Sequence, residues 1–288
     1  MSVVDVAMVG RLGTEALAAT GMGSMMFWGA LSLAIGIRTA VQTVTARRLG
    51  QGLHKESGTA LRNGLVLATL YSLPTSFFVW KYSDSLARFF IEDPSATPLT
   101  TNYVSIVFVG LLFSSYSFVF QGFFTGIEKT KIHMKVTITS VLNVYLNAGL
   151  IYGSSGVQEL FNEHLSTISF LSYLWGWANF PALGVKGAAI GTLISSFWMA
   201  AHYALSLLSK QTSKRYSVFR FSFDREMMKK QVQLALPQGL QESVIALGWG
   251  VFYKIVGIIG LVELATTELL FTIMHLSLIH ISEPTRRS

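Results

Sequence analysis

Five polar residues, Asp5, Asn143, Asn147, Thr192 and Glu242, fall in stretches otherwise apolar enough to lie in a bilayer. Polar groups there are costly, which makes each a candidate for function. A carboxylate in apolar surroundings resists ionisation and can take up a proton in the working pH range. It can instead ligate a hard cation such as Na⁺, for which carboxylate, amide carbonyl and hydroxyl oxygens are suitable partners. Asn143 and Asn147 are one helical turn apart and share a face. At the helical rise, Asp5 lies about 12 Å from the turn at Gly13, and Asn147 and Asn143 roughly 9 and 15 Å from Gly153. Thr192 lies about 12 Å past Gly184. The expectation is a cation-coupling group of Asp5, Asn143, Asn147 and Thr192 at one depth, if their helices adjoin. The simpler alternative is structural: Asp5 holds a hydrogen bond, and the amides and hydroxyl join helices. Glu242, shortly after Pro237, is a candidate second proton site unless it faces the inner aqueous boundary. No metal beyond a Na⁺ at Asp5 is expected.

The elements that must position these groups follow from charge spacing. The chain is 51% hydrophobic and 13% charged, with a mean hydropathy of +0.49, outside the range of an ordinary soluble globule. Residues 16–37, 63–80, 94–127, 136–158 and 187–209 contain no Asp, Glu, Lys or Arg. Each can cross a hydrocarbon core, which takes roughly 20 helical residues, and in lipid such a stretch must be helical to satisfy its own backbone. The reading is an all-α polytopic membrane protein. Its helices are expected to about residue 11, then over 15–45, 58–81, 98–126, 131–153, 184–208 and 229–259, with an eighth starting near Leu264. Residues 83–98 read as an amphipathic surface segment ending in a Pro-marked turn.

Loops on one side hold fourteen Lys and Arg, against four on the other, which puts the N-terminus in the cytoplasm. The uncharged stretch 164–185 would reverse the later loops if it crossed. Its Tyr173, Trp175 and Trp177 suit a helix lying at the outer interface instead. Arg38, roughly 33 Å along its helix, is expected to snorkel to the inner headgroups. "VGRLGTEALAAT" at 9–20 repeats as "VGIIGLVELATT" at 256–267, as if two six-helix units began alike and ran parallel.

Other classes fall away. The net charge of +7 sits in loops between spans, so it implies no nucleic acid. There is no cysteine, no nucleotide-binding glycine loop, no zinc-protease or serine-hydrolase motif, and the six histidines lack metal-ligand spacing. No enzyme is expected, and no cofactor other than H⁺ or Na⁺ as coupling ion. The start "MSVVDVAMVGRLG" lacks the basic region of a cleavable signal.

"VDVAMVGRLGTEALAATGMG" followed by "GIRTAVQTVTARRLGQG" resembles the multidrug and toxic compound extrusion (MATE) family. "VLNVYLNAGLIYG" and "ALGVKGAAIGT" resemble its fifth and sixth helices, and "LALPQGLQES" its seventh. The resemblance implies twelve helices in two six-helix lobes that rock between inward and outward states. It implies an antiporter of the bacterial inner membrane, monomeric at full length, in which H⁺ or Na⁺ entry drives export of small amphipathic, often cationic compounds. Contact with membrane lipids is implied as well. Asp5 falls on the family's first-helix acid, Asn143 and Asn147 on its fifth-helix pair and Thr192 on its sixth-helix hydroxyl. Asn147 stands where some branches carry Asp, which argues against a two-acid relay within that site. Arg38 replaces a small or neutral residue, and the 154–181 connection is enlarged.

On this reading, residues 1–209 form the N-terminal lobe with a truncated first helix, 210–228 a basic cytoplasmic linker, and 229–275 the start of the second lobe. Residues 276–288 resemble a translated sequencing adapter and are expected to be non-native. The nearest rival is a lipid-intermediate flippase of the same superfamily architecture. It would favour a cavity lined by several Arg or Lys, and no such set is visible.

Overall fold

In the computed structural model, residues 3–91, 93–164, 166–220 and 223–282 are described, and all their regular structure is helical. A short α1 (Val3–Gly10) turns at Gly13 into the 37-residue α2 (Thr14–Gly50). α3 (His54–Lys81) returns, and α4 (Ser83–Phe90) lies across its end as the expected amphipathic segment. α5 (Ala96–Val107) and α6 (Leu111–Gly126) form one span joined by a 3₁₀ turn. α7 (Lys131–Thr137) and α8 (Thr139–His164) form the next, followed by a 3₁₀ stretch Ser166–Trp175 and α9 (Val185–Leu207). α10 (Lys210–Tyr216) leads to α11 (Arg225–Ile259) and α12 (Leu261–Ser282).

Among the described residues, five segments are long and apolar enough to cross a membrane: Thr14–Gly50, Ala96–Gly126, Lys131–Glu163, Val185–Leu207 and Arg225–Ile259. α3 is long enough but more polar than these. Its hydroxyls turn back on their own helix, Thr69 to Leu65 O at 2.8 Å, Ser72 to Ala68 O at 2.7 Å and Thr75 to Tyr71 O at 2.8 Å. The described residues within 164–185 form no helix of spanning length. The 3₁₀ stretch folds back on α8, where Trp175 stacks on Tyr145 at 4.9 Å and donates to the Tyr145 carbonyl at 2.8 Å. α12 continues through 276–282, and 283–288 lie outside the described residues.

α2 is the axis of the molecule, packed on α3, α5, α6, α11 and α12. Small residues let backbones meet. A Cβ on Gly122 would overlap the Arg38 carbonyl, and one on Gly126 would lie 2.9 Å from Gln42 O, so the "GFFTG" pattern of α6 seats on α2. On the opposite face, Gly36 of α2 meets the backbone of α11 at Ala235 and Gly239. Arg38 is half-buried near His133 and Tyr203, which share a hydrogen bond at 3.0 Å. Gly122→Ala should therefore destabilise the protein. Overpacking costs about 1–3 kcal/mol, more than the roughly 1 kcal/mol of helix propensity gained. The thermal unfolding midpoint in detergent should fall; a midpoint at or above wild type would show that α2 and α6 part freely.

The two copies of the repeat occupy the same kind of joint. Gly13 precedes α2, with Leu17 N donating to its carbonyl at 3.2 Å; Gly260 precedes α12, with Leu264 N donating to its carbonyl at 3.2 Å.

Candidate functional site

α1 carries Asp5 one turn from where it meets α8, and Asp5 is only 7% exposed. The contact is fixed on α8 by Tyr152, whose hydroxyl donates to the Met8 carbonyl. Just beyond, Gly153 adopts φ 74°, ψ 168°, a backbone region that a side chain would strain. The break frees carbonyls of α8 that the returning chain satisfies: Leu183 N donates to Leu150 O at 2.9 Å and Gly184 N to Ile151 O at 3.1 Å. Ser154 closes the same joint, donating to Trp175 O at 2.6 Å and accepting from Phe180 N at 2.8 Å. The chain after the Gly153 break thus anchors the part of α8 that carries the two asparagines.

One face of α8 then presents Asn143 and Asn147. The Asn147 side-chain amide donates to Asp5 Oδ1 at 2.7 Å and to Asn143 Oδ1 at 3.3 Å. Asn147 is 1% exposed, and its own Oδ1 is buried with no hydrogen-bond partner among the described residues. That oxygen lies against Gly191 of α9, where a Cβ would overlap it. Leaving a buried acceptor unsatisfied costs about 1–3 kcal/mol, so its presence calls for an explanation.

Of the residues the sequence singles out, Asp5, Asn143 and Asn147 form one chain of hydrogen bonds. Thr192 is half-buried, and its hydroxyl donates to Ala188 O of its own helix at 2.9 Å. It follows the glycine that touches Asn147, so α9 meets the site through Gly191. Glu242 is half-buried and accepts from Gln238, one turn before it, at 3.3 Å. One acid escaped the sequence reading. Glu268 is 9% exposed and accepts a hydrogen bond from the Tyr253 hydroxyl at 2.8 Å. The available signal was a carboxylate immediately after the second copy of the repeat, in an otherwise apolar stretch of α12.

Chemically, Asp5 accepts from the Asn147 amide, whose own oxygen has no partner among the described residues. No group of three or more His, Asp or Glu able to hold a metal ion occurs among the described residues. The oxygens of Asp5, Asn143 and Asn147 are the hard donors available to a monovalent cation.

Residues 1–148 match the family model MatE. The chain is 23% identical over 240 residues to the probable multidrug resistance protein NorM of Rhodopseudomonas palustris, covering 82% of this chain and 46% of that protein. It is 25% identical over 274 residues to the multidrug resistance protein NorM of Burkholderia vietnamiensis, covering 93% and 53%. The chain spans about half the length of the curated relatives it matches. It superposes on the inward-facing conformation of a multidrug resistance MATE family transporter of the MOP superfamily with a TM-score of 0.79, at 23% identity over 98% of this chain and 60% of that one. On an outward-facing conformation of such a transporter the TM-score is 0.68, at 22% identity over 92% and 58%. The family model covers just over half of the residues, and the helical membrane fold agrees with it: the chain belongs to the MatE family of transport proteins.

Proposed function

We propose that the chain carries the ion-coupling centre of a secondary active multidrug exporter, which exchanges H⁺ or Na⁺ for small amphipathic, often cationic compounds by alternating access. Residues 1–209 form its first lobe, 210–228 a cytoplasmic linker, and 229–275 the start of a second lobe. The protein sits in the bacterial inner membrane with the Val3 end of α1 toward the cytoplasm. The names of the NorM relatives and the loop charge asymmetry support this reading.

The observation that carries the coupling role is the idle Oδ1 of Asn147 beside the buried Asp5 carboxylate. While Asp5 is ionised, the Asn147 amide donates to it. Once Asp5 takes a proton it becomes a donor, and rotation of the amide group turns Oδ1 from Gly191 toward it. A bound Na⁺ is served by the same rotation. The site then has two arrangements, one for each occupancy, as an exchange cycle needs. Asn143 steadies the amide, and Gly191 leaves it room to turn.

The test uses the intact transporter in sealed vesicles with an H⁺ gradient, a Na⁺ gradient or neither. Efflux of a fluorescent cationic compound should depend on one gradient and vanish when it is collapsed. Equal efflux without any gradient would refute coupled exchange.

A further inference from the structure

Glu268 lies where α12 crosses α2. Tyr253 of α11 donates to its Oε2, and a Cβ on Gly21 would come within 3.0 Å of the same oxygen, so the carboxylate lies directly on the α2 backbone. On the other side of this crossing, Tyr103 of α5 is buried against Gly23, its hydroxyl 3.2 Å from Ser24 Oγ. α1, which carries Asp5, is in contact with α12, which carries Glu268. Their helical turns also share an apolar cluster, with Val6 beside Asp5 and Leu264 and Ala265 one turn before Glu268, packed with Met22 and Tyr253.

We propose that Glu268 is a second proton-binding carboxylate of the exchange cycle, paired with Asp5 across the junction of α2 with α12. The inference rests on the proposed ion-coupled export and supplies what the Asp5 site lacks. Asn147 denies that site a second acid on α8, and α12 provides one.

The chemistry is a protonation and its reversal. A proton from water forms an O–H bond on the Glu268 carboxylate, and the same bond breaks when the proton returns to water. The carboxylate is buried against the α2 backbone with the Tyr253 phenol donating to it, and in the proposed cycle the proton adds there. A Na⁺ ion would want several oxygens around it, whereas among the described residues the Glu268 carboxylate is seen beside the Tyr253 phenol and Gly21. The titratable groups around it are Tyr253 from α11, Tyr103 from α5 and Asp5 from α1. Glu15 of α2 and Glu263 of α12 are exposed near their helix starts, and Lys254 of α11 lies over the Phe89 ring at 5.4 Å. In the proposed cycle the charge on one carboxylate acts on proton binding at the other across the shared apolar cluster.

The experiment is an infrared pH titration of the intact purified transporter, following the C=O band of buried protonated carboxyl groups. Wild type should show one component lost in Asp5→Asn and another lost in Glu268→Gln. The component left in each variant should titrate at a different pH from wild type. In vesicles, Glu268→Gln should lose most H⁺-driven efflux while still binding substrate, and Glu268→Asp should recover part of it. Identical titrations for Glu268→Gln and wild type, or an Asp5 component unmoved by that change, would overturn the pairing. Two coupled components in a protein whose wild type shows no gradient-driven efflux would remove the export reading and leave the acid pair standing.

Discussion

Asp5→Asn in the intact transporter is expected to abolish ion-driven efflux, down to the level of vesicles without transporter, while the fold persists. The substitution is nearly isosteric and keeps an oxygen where Asn147 donates at 2.7 Å. If Asp5 were only structural, the change would weaken one hydrogen bond from a charged to a neutral acceptor, about 1 kcal/mol. Such a loss would lower the amount of folded transporter modestly and leave its gradient dependence intact. If Asp5 binds the coupling ion, the variant has no group left at that site to take a proton, and efflux stops at any gradient. The two roles therefore predict different kinds of result. Efflux per folded molecule is the measurement, with the folded fraction read from gel filtration in detergent. Wild-type efflux from Asp5→Asn would remove this residue from the cycle.

The spans were legible because a bilayer imposes a single strong constraint, long uncharged helices, and charge spacing records it directly. The helix expected over 184–208 is observed at Val185–Leu207, and that over 229–259 at Arg225–Ile259. That Asp5, Asn143 and Asn147 lie at one level was readable from the helical rise. Their actual contact was not, because rise alone says nothing about which helices adjoin. Thr192 shows that limit: depth puts it level with the others, while rotation of α9 turns its hydroxyl to Ala188 and presents Gly191 to Asn147. Glu268 was missed for a related reason. Its partners, Tyr253 on the preceding helix and Gly21 on α2, come together only through packing, and a glycine under a carboxylate leaves no mark in composition.

Gly191→Ala should impair coupled efflux almost as deeply as Asp5→Asn, although it changes no charge and removes no hydrogen-bonding group. The new methyl would overlap Asn147 Oδ1, and the neighbouring contacts leave α8 and α9 little freedom to separate. One turn earlier, Gly187 seats on the Leu150 carbonyl in the same way. Two responses remain. If α9 shifts, overpacking costs about 1–3 kcal/mol. If Asn147 turns away, it gives up a hydrogen bond to a charged group worth about 1.5–3 kcal/mol. These are close enough that both should occur, and either one separates Asn147 from Asp5 or locks the amide so that it cannot rotate. The helix propensity recovered from replacing glycine, roughly 1 kcal/mol, does not offset them. Gly248→Ala on α11 is the matched control, since a Cβ there meets nothing within 4 Å. It should leave efflux unchanged. The double variant Gly191→Ala with Asn147→Ala separates the effects, because removing the amide relieves the overlap. Its thermal stability should recover toward that of Asn147→Ala alone, while efflux stays lost. Full efflux from Gly191→Ala would mean that the Asn147–Asp5 hydrogen bond plays no part in transport, and the coupling site would have to be sought elsewhere in the chain.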